Sequence, residues 1–234
     1  MDGRATAVEA AVVARTVLAT SHEATCARLD GDEDQSSGVV GLVAAGPQPY
    51  LVPADPGCFF TTGTALMCRV FVPEVGLVLC TGVTGPARTA GDLPAVVRTL
   101  DDHRACLLGP VDPAALQVVP LQLFGISVAL PGAEQASSLT PGELAEASPD
   151  WLLARGRSLG EHLERDHARS LAQLAVAHGV IDVVTVTVGA LSTRGARLVC
   201  LGVEGVTTVE MVFDPPVGHP GELWSRMSSA PAAG

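Results

Sequence analysis

The sequence predicts an α+β chain: an N-terminal helix, an antiparallel β-barrel or sandwich, and a smaller C-terminal module in which a helix, three strands and a helix follow one another. Three observations carry that reading. An alanine-rich stretch over 7–29 holds no Gly or Pro and repeats apolar residues at helical spacing. Short apolar runs punctuated by Gly and Pro then recur at roughly ten-residue spacing, as antiparallel strands do. A Pro-, Gly- and Ser-rich stretch over 131–149 separates these runs from a second block of helix and strand.

The first helix stops at Asp30-Gly31-Asp32-Glu33-Asp34, an acidic turn without the ligand spacing of an EF-hand. Strands are expected over 39–44, 50–53, 58–62, 66–72 and 77–84. A helix over 92–107 places Leu93, Val96, Val97 and Leu100 on one side, and a long strand over 116–130 closes the sheet. A short helix over 141–147 starts with Pro141 at the favoured first-turn position. Beyond it a helix over 151–178 ends at Gly179, a suitable C-cap. Strands over 183–188, 197–201 and 206–213 and a helix over 220–227 complete the chain. The expected organisation is a barrel domain over 1–135, a linker over 136–149, an α-β-β-β-α domain over 150–228 and a disordered tail over 229–234.

Composition narrows the chemistry. The apolar fraction of 47% contains only 3% aromatic residues, so the core is built from small branched side chains and offers little stacking surface to nucleic-acid bases. A net charge of −11 repels a phosphate backbone, and no nucleic-acid partner is expected. All 14 cationic side chains are Arg, which removes Schiff-base chemistry and a Lys phosphate anchor but keeps bidentate recognition of carboxylates. Cys26, Cys58, Cys68, Cys80, Cys106 and Cys200 lie far apart without a CxxC pair, the spacing of core residues rather than of a zinc site or disulfide framework. Glu9 and Arg15 interrupt the apolar stretch over 5–19, unlike the uncharged run of a signal peptide. No run reaches the roughly 18 to 20 apolar residues of a membrane span, and a cytoplasmic location is expected. There is no G-x-S-x-G elbow, and Gly82-Val83-Thr84-Gly85 lacks the context of a phosphate-cradling loop.

Histidine is the residue type left to carry chemistry. His162 and His167 lie five residues apart on the expected helix, about 500° of rotation, so their rings point about 140° apart and cannot share a metal from a straight helix. His103 and His178 fall near helix ends, where the dipole favours a surface imidazole.

The segment HLERDHARSL, followed by an apolar helix, Gly179, three strands and the turn Phe213-Asp214-Pro215-Pro216-Val217, resembles the domain of unknown function called DUF2470, whose helix carries an H-x-x-x-D-H signature matched by His162, Asp166 and His167. Its place after a helix and a β-rich half is similar to the heme-utilisation (HugZ-like) family of split barrels, relatives of the flavin-binding pyridoxamine-phosphate oxidases. The resemblance is specific from about residue 151 to residue 227 and rests on element order before that. It implies a split barrel, a homodimer with ligand at the subunit interface, and heme as cofactor. FMN is not expected, because Arg69 and Arg88 are the only cations over 39–94 to hold its phosphate.

Heme needs a neutral axial imidazole beside apolar surface. His22 shares a helical stripe with Leu18, Cys26 and Leu29, and Arg15 lies on the same stripe about 10 Å away, a spacing that sets a guanidinium against a propionate. His219, in the turn Pro216-Val217-Gly218-His219-Pro220, is the positional analogue of the C-terminal His that ligates iron in heme-degrading split barrels. The leading expectation is heme storage, transfer or sensing through His22 or His219. The alternatives are a non-catalytic interaction module that regulates tetrapyrrole metabolism through an unknown protein partner, and a heme-degrading or flavin-dependent oxidoreductase.

Overall fold

The structure is a computed structural model of the chain, and it describes residues 7–29, 38–53, 61–73, 75–102, 112–130, 133 and 135–230. The chain divides into two compact units, 1–149 and 150–234.

In the first unit, α1 (Ala7–Thr20) precedes β1 (Glu23–Arg28), β2 (Gly38–Ala45), β3 (Gln48–Val52), β4 (Ala65–Val72), β5 (Gly76–Thr84) and the short β6 (Arg88–Thr89). Helix α2 (Pro94–Asp102) and the long strand β7 (Gln117–Ala129) follow. The strands pair in the order β3-β2-β1-β4-β5-β7, and β3 pairs back onto β7 to close a six-stranded antiparallel barrel. This is the α+β split barrel that the sequence predicts. Closure leaves no open edge among these strands. Alternation fills the interior: Leu66, Cys68 and Val70 of β4 and Val78 and Cys80 of β5 point inward and are buried. Helix α1 lies along the barrel with Ala10, Ala14, Val17 and Leu18 buried, while Val96 and Leu100 of α2 pack with Val43, Val52 and Val118.

Two expectations for this unit change. The first helix ends at Thr20, and the segment expected to continue it forms β1 between β2 and β4. Over Glu23-Ala24-Thr25-Cys26 the polar and apolar residues alternate, so Ala24 and Cys26 face the interior. Backbone pairing on both edges outweighs the helical preference of Glu, Ala and Arg. The strand expected over 58–62 and the acidic turn over 30–34 fall almost wholly or entirely outside the described residues. The expected linker over 136–149 belongs to the barrel unit, because β8 (Ser137–Leu139) pairs with β7 and α3 (Pro141–Glu146) closes on Leu144, which is buried. Thr140 and Glu143 form a reciprocal capping box at the start of α3.

In the second unit, α4 (Trp151–Asp166) and α5 (Ala168–Ala177) pack on one face of an antiparallel sheet ordered β11-β10-β9, built from β9 (Val183–Ser192), β10 (Gly195–Gly202) and β11 (Gly205–Val212). Helix α6 (Leu223–Ser229) closes it, and Leu152, Leu171, Leu198, Cys200 and Met227 form the buried centre. Gly156 and Gly160 let α4 approach β9. A Cβ on Gly160 would stand 3.2 Å from Val188 Cβ, and one on Gly156 would stand 3.2 Å from the Leu191 carbonyl oxygen. Asp150 caps α4 by accepting from the N–H groups of Leu152 and Leu153 and also accepts from Thr193 of the β9–β10 turn. Gly179 has φ 86° at the end of α5, as its C-cap role requires. The chain is described through Ala230, with α6 reaching Ser229, so residues 231–234 of the expected tail lie outside the described residues.

Among the described residues no helix is long and apolar enough to cross a membrane.

Candidate functional site

The single helix expected over 151–178 breaks at His167. That residue has φ −129° and ψ 21°, ends α4 and begins α5. Neither Gly nor Pro marks the break, and sequence periodicity runs through it unchanged. The consequence for the signature residues is large. Instead of pointing about 140° apart as on a straight helix, the rings of His162 and His167 meet with centroids 5.3 Å apart and planes at 80°. The indole of Trp224, on α6, stands 6.2 Å beyond His167.

A carboxylate orients one of these rings. His162 Nδ1 lies 2.7 Å from Asp166 Oδ2, one helical turn away. A carboxylate only accepts, so in the neutral ring Nδ1 carries the proton and the Nε2 lone pair is available. Asp166 is itself held by Arg165, whose Nε and Nη2 donate to its two oxygens at 3.0 and 2.9 Å. The Arg165 hydrogen bonds hold the Asp166 carboxyl below its usual range. Both His162 and Asp166 remain open to solvent.

His219 has the opposite tautomer. It caps the turn before α6, and its Nδ1 accepts from the Gly221 N–H at 3.1 Å. The neutral ring therefore carries its proton on Nε2, and that nitrogen has no lone pair for a metal while the cap is made.

In the barrel unit His22 lies in the turn between α1 and β1, where its carbonyl accepts from Leu42 N–H at 2.9 Å. The stripe with Leu18, Cys26 and Leu29 does not form, because Cys26 is on a strand. The ring is half-buried with Nδ1 enclosed. Arg15 is not offered to a ligand. It is 7% exposed, and it donates from Nε to the Ala147 carbonyl at 3.1 Å and from Nη1 to the Gly46 carbonyl. Burial lowers its pKa.

Cys26, Cys68 and Cys80 stand on adjacent strands in one register row, all buried, with Sγ of Cys26 and Cys68 2.9 Å apart. The hydrogen bond with Cys26 and burial raise the Cys68 pKa, and burial pushes Cys80 up to about 12. These thiols behave as core atoms. Cys200 is likewise buried, and Cys58, Cys106 and His103 lie outside the described residues.

The outer face of the barrel carries exposed apolar side chains. Met67, Arg69 and Phe71 of β4 point outward, and Val39 lies opposite the outward Thr25 in the pairing of β2 with β1, with Val39 64% and Phe71 58% exposed. A cleft of about 140 Å³ beside His178, Thr208 and Glu210 is too small for a porphyrin. Among the described residues no group of three or more His, Cys, Asp or Glu side chains is placed to hold a metal ion.

The class defined by these features is a closed six-stranded antiparallel barrel followed by an α-α-β-β-β-α unit. Two solved structures are similar to the chain, and the first shares its fold. A heme binding protein from Mycobacterium smegmatis matches over 96% of this chain and 95% of its own, at 20% sequence identity and a TM-score of 0.62. A protein of unknown function from Agrobacterium tumefaciens is also similar over 94% of each chain, at 17% identity and a TM-score of 0.39. No family model and no curated protein matches the chain.

Proposed function

We propose that this chain binds heme, in storage, transfer or sensing, as a homodimer. The observation that carries the reading is the fold shared along nearly the whole chain with the mycobacterial heme binding protein. The residues of the barrel unit fit such a ligand. His22 is its one histidine among the described residues, half-buried at the turn before β1, and is the imidazole this reading gives to iron. The outward strip of Val39, Met67 and Phe71 supplies apolar surface for a second copy of the chain to cover, with the porphyrin at its rim beside the turn that leads into β1. Arg69, exposed within that strip, takes the propionate role expected of Arg15. Heme, when bound, would supply an iron centre able to take small ligands. The chain's own part is to supply one imidazole, shield the porphyrin faces and neutralise the propionates. His219 joins only if its cap is released.

One equivalent of hemin added to the purified chain is expected to give a sharp Soret band, lost in His22→Ala and kept in His219→Ala. Phe71→Asp is expected to convert the dimer to monomer by light scattering. A chain that stays spectroscopically blank with hemin refutes heme binding.

A further inference from the structure

We infer that the C-terminal unit carries a second, independent ligand site: His162 and His167 form a two-imidazole site for a small late first-row divalent cation, Ni²⁺, Cu²⁺ or Zn²⁺. The ring separation discriminates between ligands. With a metal–nitrogen bond of about 2.1 Å, each ring centroid lies about 3.2 Å from the metal, so two rings at a tetrahedral angle stand about 5.2 Å apart and two rings trans across a porphyrin about 6.4 Å apart. The observed 5.3 Å, in an edge-to-face contact, matches the cis spacing and falls short of the trans one.

The surroundings are those of a built ligand. His162 donates Nδ1–H to Asp166, the carboxylate–histidine arrangement that fixes tautomer and ring orientation in metal sites. Arg165 clamps that carboxylate in turn through two hydrogen bonds. The break at His167 is what brings the second ring alongside the first. No third protein ligand is present among the described residues, so the remaining positions fall to water or to a small exogenous donor, as at an open site. Neutral imidazoles select late transition metals over Ca²⁺ and Mg²⁺, which require oxygen donors.

The test is calorimetric titration of the full-length chain, free of heme, with NiCl₂ and ZnCl₂. One equivalent is expected to bind, with affinity at least about tenfold weaker in His162→Ala and in His167→Ala and about tenfold to a hundredfold weaker in Asp166→Asn. His219→Ala and His178→Ala are expected to leave the isotherm unchanged. A second readout does not rest on calorimetry. Trp224 stands beside His167, so stoichiometric Cu²⁺ is expected to quench its fluorescence in a Trp151→Phe background, and His167→Ala is expected to abolish that quenching. Circular dichroism melts confirm that each variant is folded. Absence of binding to the wild type overturns the proposal, as does binding indifferent to His162→Ala and His167→Ala or lost in His219→Ala. None of these outcomes bears on hemin, which the proposal assigns to the other unit.

Discussion

The candidate polar residues of the two units are held in opposite ways. In the barrel unit Arg15 is enclosed and holds the carbonyls of Ala147 and Gly46, His22 has Nδ1 shut away from water, and three thiols lie within the barrel. In the C-terminal unit His162, Asp166 and Arg165 stand in solvent and bond to one another. An enclosed group is tied to the fold, since removing it costs the packing and hydrogen bonds around it. An exposed group contributes little to stability and keeps its lone pairs for a ligand. The contrast therefore predicts where a substitution changes stability and where it changes binding alone.

The largest expected effect comes from neither kind of group but from the core they surround. Leu198 is fully buried at the centre of the second unit, and Leu198→Ala is expected to lower stability by about 2–5 kcal/mol in urea denaturation. Arg15→Met comes next. It removes two hydrogen bonds from a charged donor to the carbonyls of Ala147 and Gly46, for an expected loss of about 1–3 kcal/mol. Its exposed counterpart, Arg165→Met, is expected to leave the urea midpoint unchanged while weakening Ni²⁺ binding, because only the orientation of Asp166 is lost. An equal loss of stability from the two arginine variants would break the comparison.

Smaller effects sharpen it. Cys68 and Cys80 have raised pKa values and are buried, so maleimide mapping at neutral pH is expected to leave both unlabelled in the folded chain and to label both in denaturant. Glu143 in the capping box has its pKa lowered by the hydrogen bonds from the Thr140 backbone and side chain. Its folded value lies below its unfolded one, so its stabilisation is present above the ordinary glutamate range and disappears as pH falls through the folded pKa. The stability difference between wild type and Glu143→Gln is accordingly expected near neutrality and to vanish in acid.

What was legible in the sequence follows physical lines. The barrel showed in its punctuated apolar runs, because period-two alternation and turn residues are local signals, and the Gly179 cap showed for the same reason. Strand β1 was hidden by a composition that suits a helix, and only its pairing with β2 and β4 decides its conformation. Among the candidate residues, the spacing of His162, Asp166 and His167 was visible but its geometry was not. The break at His167 carries no local mark, and Trp224 reaches the pair from a helix far along the chain. The capping role of His219 was closer to reach, since His219-Pro220 precedes a helix as an N-cap does. Arg15 was misplaced because the carbonyls that hold it, at Gly46 and Ala147, are distant in sequence.

The assignment of porphyrin to one unit and a small cation to the other is tested most directly by one hemin titration performed twice, with the chain free of metal and with the His162/His167 pair saturated by Ni²⁺. The Soret affinity is expected to agree within about twofold in the two titrations, the signature of additive, uncoupled sites. Loss of the Soret band on Ni²⁺ saturation, or displacement of Ni²⁺ by hemin, would mean that the two ligands compete for the same imidazoles and would contradict the division.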